Sequence, residues 1–140
     1  MVGGEVMNRK VKVLAGGVFN VVHPGHIFFL KKARSLGDEL VVVVAHDETV
    51  RKSKRLIFPA RERKAVLESL RMVDRVIMGD RNDFFLVIKK ERPDVIVLGF
   101  DQKIDGKKLE KALEKGAIPR IVKLPRFREY GTKKLMEHLH

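Results

Sequence analysis

Two histidines three residues apart, His23 and His26, are the residues of this chain best suited to chemistry. They frame Pro24 and Gly25 and follow Gly16 and Gly17 within the stretch GGVFNVVHPGH. Each imidazole can donate a hydrogen bond to a phosphoryl oxygen as negative charge builds there, and phosphoryl transfer depends on such positioning and electrostatics. A helix that begins here adds unpaired N–H groups and the positive end of its dipole, which favour an anion. Pro24 suits the first helical position because its ring fixes φ. Glycines lack a Cβ, so their backbone can approach a phosphate and present N–H groups to it. An isolated H-x-G-H is more often a turn with two surface histidines. The setting argues otherwise: a buried-type strand and a double glycine precede the motif, and an amphipathic helix follows it. A zinc site is a poor alternative, since no third ligand stands nearby in the sequence.

The elements that must position these groups alternate along the chain. Residues 11–15 (VKVLA) are the first strand candidate, and residues 40–45 (LVVVVA) form a β-branched run of the kind buried on both faces. Residues 75–78 and 95–98 are two more, and residues 121–124 a weaker fifth. Phe29, Ala33 and Leu36 recur at helical spacing, with Gly37 placed to stop that helix. Pro59 can open the next helix, with Val66 and Leu70 on one face. Residues 83–90, 109–115 and 133–138 read as shorter helices. This alternation predicts an α/β fold, with βαβ units, right-handed crossovers and a mostly parallel five-stranded sheet carrying helices on both faces. Ligands bind such sheets beyond the C-terminal strand ends, so the loops after Ala15, Ala45, Met78, Leu98 and Leu124 are the ones to inspect.

Bulk properties bound the rest. The 140 residues suit one domain spanning 1–140, with residues 1–10 read as a flexible N-terminal extension. Lysine and arginine number 30 against 18 acidic residues, a formal charge of +12 that attracts phosphates. The charge is spread along the chain, with a local run at Arg51, Lys52, Lys54 and Arg55. No basic tail stands apart, so nucleic acid is not the favoured partner. Charged residues make up 34%, which suits the heavily charged surface of a thermophilic protein. There is no cysteine, which excludes disulfides and thiolate chemistry. The absence of an apolar leader at the N-terminus and of any run near 20 apolar residues predicts a cytoplasmic protein with no membrane partner.

The segment GGVFNVVHPGH resembles the G-T-F-D-x-x-H-x-G-H signature of the cytidylyltransferase-like superfamily, and within it the archaeal FAD synthase group. SLGDELVVVVAHDETV, Pro59 with Arg63, VDRVIMG and PDVIVLGFDQ agree with that group, so the likeness runs over about residues 11–125. It implies a Rossmann-like domain of the HUP type. It also implies that His23 and His26 hold the nucleotide phosphates, in a cradle formed with Gly17, Val18, Phe19, Asn20, Pro24 and Gly25. Val18 replaces the threonine of the signature and Asn20 its aspartate, losing a hydroxyl and a negative charge. Asp101, after Gly99, matches an aspartate near the nucleotide sugar or base, although a turn aspartate is the plainer explanation. Gln102 stands where cytidylyltransferases carry a tryptophan, which favours ATP over CTP. Lys54 and Arg55 could close over phosphate, or simply form a solvated loop. Asp47 could face an acceptor or magnesium, or cap a turn. Arg63 matches a family arginine, or is a helix-surface arginine with an ion pair. The final family motif is reduced here to Tyr130, Gly131, Thr132 and Lys133, with Thr132 the available hydroxyl, and Phe127 falls near an aromatic residue that covers adenine in similar enzymes.

The resemblance implies transfer of AMP from ATP to FMN, with Mg2+ bound with the triphosphate, and a homodimer as one assembly open to the chain. Two alternatives stand beside it. One is a CTP-dependent cytidylyltransferase acting on an alcohol phosphate such as glycerol 3-phosphate. The other is a nucleotide-binding paralogue without catalysis.

Overall fold

The computed structural model describes residues 10–52, 54–79, 84–114 and 116–126. Five parallel strands make one sheet in the order β3-β2-β1-β4-β5. They are β1 (Lys12–Gly17), β2 (Glu39–Val44), β3 (Arg75–Met78), β4 (Val95–Leu98) and β5 (Arg120–Lys123). Five helices alternate with them: α1 (Pro24–Arg34), α2 (Asp47–Arg51), α3 (Ala60–Glu68), α4 (Phe84–Glu91) and α5 (Gly106–Leu113). Every strand pairing is parallel, as the βαβ alternation requires. The helix expected over residues 133–138 lies outside the described residues, as do residues 1–9 of the extension expected over 1–10.

Period-two alternation sorts each central strand between two cores. Val13 and Ala15 of β1, Leu40, Val42 and Val44 of β2, and Val95 and Val97 of β4 face α1 and α3. Leu14, Val41, Val43 and Ile96 face α4 and α5. The helices therefore cover both faces. On α3 the buried residues are Ala60, Arg63 and Leu67, whereas Val66 is 49% exposed. The expectation of Val66 on the inner face is thus corrected: the stripe runs one residue further round the helix, and only Leu70 of the expected pair packs against the core.

The N-terminal end of the sheet is pinned by aspartates. Asp38, Asp74 and Asp94 precede β2, β3 and β4, and each accepts from a backbone N–H where the neighbouring strand begins: Val11 at 2.8 Å, Leu40 at 2.7 Å and Lys12 at 2.8 Å. Glu91 adds an ionic knot, meeting Arg75 at 2.5 Å and Lys12 at 3.3 Å. Gly37 serves a different purpose from the one its position after α1 suggests. Its φ is not positive, and a Cβ there would lie 2.6 Å from the Val13 side chain and 2.7 Å from the Val11 carbonyl. It permits a close crossing; Ser35 is the cap that ends the helix.

The strand order places a topological switch between β1 and β4, because the chain leaves β1 for β2 on one side and returns to β4 on the other. The crevice beyond their C-terminal ends is where such sheets take ligands.

The Glu91 carboxyl is held below its ordinary pKa by the Arg75 hydrogen bond, against the cost of partial burial. Its stabilisation is present above the usual glutamate range and disappears as pH falls through the lowered value. Glu91→Gln should cost about 1–2 kcal/mol at neutral pH. Urea unfolding of the two proteins should converge in acid.

Candidate active site

The loop after β1 is built by packing. Gly16 and Gly17 point to opposite faces, and each leaves room for an aromatic ring. A Cβ on Gly17 would lie 2.8 Å from the Phe19 ring, and one on Gly16 3.3 Å from Phe84. These two rings close the C-terminal ends of the two cores. The expectation that both glycines are bare so that phosphate can approach is corrected here: the space beside Gly17 is filled by Phe19. Phe19 pays a backbone cost to reach it, with φ at 52° and only 5% of its surface exposed. A non-glycine residue in the left-handed region is strained, and it persists only where its surroundings over-determine it.

The histidines sit at the start of α1. His23 is the N-cap and Pro24 the first helical residue. His23 Nδ1 accepts from the Gly25 N–H at 3.1 Å, and His26 Nδ1 accepts from the His23 N–H at 3.2 Å. This is a reciprocal capping box made from two imidazoles. Its chemical consequence is a fixed tautomer. A ring nitrogen that accepts from a backbone N–H carries no proton, so in each neutral ring the proton lies on Nε2. The rings stack with centroids 3.8 Å apart, and the Phe19 ring lies 5.2 Å from His26. Burial lowers the His23 pKa. Burial also lowers His26, to about 4, helped by the charges of His23 and Lys54 and opposed by a hydrogen bond to the Val21 backbone. At neutral pH the pair is uncharged and offers donors, and Lys54 stands near enough for its charge to be felt at His26.

Arg63 is no surface residue. It is 2% exposed, and its guanidinium is spent on the protein. Nε donates to the Phe58 carbonyl at 2.8 Å, Nη1 to the Val18 carbonyl at 2.8 Å, and Nη2 to Asp47 Oδ1 at 2.6 Å. Asp47 Oδ1 also accepts from the Ala60 N–H at 2.8 Å, at the start of α3. Burial works against that carboxylate, yet the hydrogen bonds from Arg63 and Ala60 and the Arg63 charge outweigh it and hold the pKa below the ordinary value. The capping reading of Asp47 is the one the structure supports, although the helix it caps is α3; His46 caps α2.

Two departures from the signature prove to be cross-links. Asn20 is 8% exposed; its Nδ2 donates to the Arg55 carbonyl at 3.0 Å and its Oδ1 accepts from the Ile57 N–H at 3.2 Å. Gln102 accepts from the Gly99 N–H at 2.7 Å and donates to the Gly16 carbonyl at 3.0 Å. It supplies a further rung between β1 and β4 where the strands part at the switch. Sequence reasoning read Gln102 only as the replacement of a tryptophan that favours ATP over CTP. A glutamine three residues beyond a strand-ending glycine was the available signal, because an amide has both donor and acceptor whereas an indole has a donor alone.

Asp101 is exposed in the turn after β4, with a carboxylate oxygen 3.6 Å from where a Gly99 Cβ would stand. Arg126 lies over the Phe100 ring at 5.0 Å, joining the loops after β4 and β5. Lys54 and Arg55 are exposed. Phe127, Tyr130, Gly131, Thr132 and Lys133 lie outside the described residues. Among the described residues no helix is long and apolar enough to cross a membrane.

The lowered His26 pKa carries a pH signature. Between 6.5 and about 4 the unfolded chain binds the proton that the folded ring refuses. Stability is therefore present above the upper value and lost as pH falls through the lower one. His26→Gln should flatten the stability profile in this window, removing a slope that totals up to about 3 kcal/mol, as read by urea midpoints across pH.

The cytidylyltransferase-like family matches residues 14–128. An FAD synthase of Aciduliprofundum boonei is 47% identical over 126 residues, covering 89% of this chain and 83% of that protein. An FAD synthase of Pyrococcus abyssi is 48% identical, over 84% of this chain and 82% of its own length. Among solved structures, the lipopolysaccharide core biosynthesis protein of Thermoplasma volcanium superposes with a TM-score of 0.78 at 40% identity, over 85% of this chain and 99% of that one. The pantoate-beta-alanine ligase of Francisella tularensis shares the fold, with a TM-score of 0.59 at 15% identity, over 91% of this chain and 64% of that one. With a capped imidazole pair at the switch point and a family match over most of its length, the chain belongs to the cytidylyltransferase-like family.

Proposed function

We propose that this chain is an FMN adenylyltransferase, which moves AMP from ATP to FMN and releases FAD and pyrophosphate. The observation that carries the chemistry is the pair of imidazoles fixed as Nε2–H donors at the start of α1. The identity of the substrates rests on the FAD synthases that are 47% and 48% identical over 89% and 84% of this chain.

An oxygen of the FMN phosphate attacks the α-phosphorus of ATP in line. The bond from that phosphorus to the bridging oxygen breaks, and pyrophosphate leaves with the electron pair. No covalent enzyme intermediate is required. The protein's task is to hold the phosphates and to meet the growing charge on the leaving group. His23 and His26 do this as neutral donors, and triphosphate oxygens compete with the Val21 backbone for His26. Neutral donors spare the free enzyme the cost of two adjacent buried cations. Lys54 meets the phosphates from the loop after α2, and Val18 offers its backbone N–H. Gly99 and Asp101 flank the nucleoside side of the switch. Arg63 acts one step behind, through the Val18 carbonyl.

Magnesium enters with the triphosphate in this reading. The described residues contain no cluster of three metal-ligating side chains, and Asp47 is committed to Arg63. An ion that keeps phosphate oxygens and water as its main ligands needs no such cluster. When bound, it neutralises phosphate charge. A homodimer, by likeness to the family alone, and a cytoplasmic location complete the proposal.

Incubation with ATP or CTP and a panel of phosphorylated acceptors, read by mass spectrometry, tests this. FAD should form from ATP and FMN. A cytidylyl product on an alcohol phosphate would establish the competing reading, and nucleotide binding with no pyrophosphate release would establish a paralogue without catalysis. His23→Ala should lower kcat by about 10²-fold or more.

A further inference from the structure

We propose that Asn20 is a positioning residue for nucleotidyl transfer: its side-chain amide fixes the basic segment carrying Lys54 and Arg55 beside the imidazole pair. The proposal rests on the functional reading above and adds a residue that acts through another.

Residues 54–59 lie between α2 and α3 and form neither helix nor strand, so their backbone groups need partners elsewhere. The structure supplies them in sequence. The Lys54 N–H returns to the Val50 carbonyl at 2.8 Å. Asn20 then takes the Arg55 carbonyl and the Ile57 N–H, and Arg63 takes the Phe58 carbonyl. Asn20 and Val18 belong to one loop, and Val18 is held by the same Arg63. The phosphate loop and the basic segment are therefore tied twice, once by a buried amide and once by a buried cation. Asn20 directly follows Phe19, whose ring lies 5.2 Å from the His26 ring, so the segment that Asn20 holds is anchored beside the imidazoles.

The amide is specific to this task. Arg55 offers an acceptor and Ile57 a donor, so the side chain between them must both give and receive. A carboxylate, as in the family signature, could receive from Ile57 but would have no proton for the Arg55 carbonyl at neutral pH. It would also set a negative charge beside the cations of the segment. Asn20 is thus suited to this chain's own loop, and the change from aspartate is a refinement of positioning and not a loss.

The test uses the full chain with Asn20→Ala, Asn20→Asp, Lys54→Ala and the double variants. Asn20→Asp is nearly isosteric, and thermal unfolding confirms that each variant folds. With Lys54 present, either change at Asn20 should lower kcat/KM for ATP about tenfold. With Lys54 already alanine, the further loss should be less than about threefold, because the positioned group is gone. The deficit of Asn20→Asp should shrink as pH falls and its carboxyl gains a proton. Amide hydrogen exchange at Ile57, measured without nucleotide, should quicken in Asn20→Ala. Equal losses in both backgrounds, or an Asn20→Asp protein as active as the parent, would overturn the proposal. If the parent chain makes no FAD, the functional reading fails separately, and unchanged exchange at Ile57 still overturns the clamp.

Discussion

The site depends on a buried positive charge. Arg63 has almost no contact with water, and an isolated guanidinium in that position would be strongly disfavoured. Its three hydrogen bonds, one of them an ion pair with Asp47, make the position tenable. They also bind together what the sheet alone leaves apart: the loop after β1 through Val18, the end of β2 through Asp47, and the segment before α3 through Phe58. Removing one member would strand the others, which is why buried networks of this kind act as a unit.

On that frame the loop after β1 can hold an unfavourable shape. Phe19 sits in the left-handed region because its ring fills the space left by Gly17 and lies against His26. The loop then delivers His23 to the N-cap of α1, where each imidazole accepts from a backbone N–H, His23 from Gly25 and His26 from His23. Both Nδ1 atoms are used in building the site, and both protons are left on Nε2. Structure and chemistry are coupled here through hydrogen-bond bookkeeping: the bonds that cap the helix are the bonds that choose the tautomer.

Much of this was legible in the residues. The apolar runs place β3 and β4 at their observed bounds and the other strands within two residues; β2 and β4, buried on both faces, leave a continuous apolar record, whereas edge strand β3 is legible from Val76 and Ile77 between exposed ends. The H-x-G-H spacing locates the helix start because capping is local. What escaped is long-range. The inward turn of Arg63 cannot be read from helical spacing, which treats arginine as a surface residue. The glycines were legible as positions without Cβ, but whether phosphate or an aromatic ring uses the space depends on Phe19 and Phe84 folding back. Asn20 looked like a loss and Gln102 like a mark of nucleotide preference because their partners, at Arg55, Ile57, Gly16 and Gly99, come together only in the folded sheet.

Arg63 holds protein, and the proposed division of labour leaves phosphate to the imidazoles. A crystal structure with a non-hydrolysable ATP analogue tests it most directly. The account predicts phosphate oxygens within hydrogen-bond distance of Nε2 of His23 and His26, with the Arg63 contacts to Val18, Phe58 and Asp47 intact. A nucleotide bound away from the histidines, or an Arg63 released from Val18 to grip the phosphates itself, would contradict it.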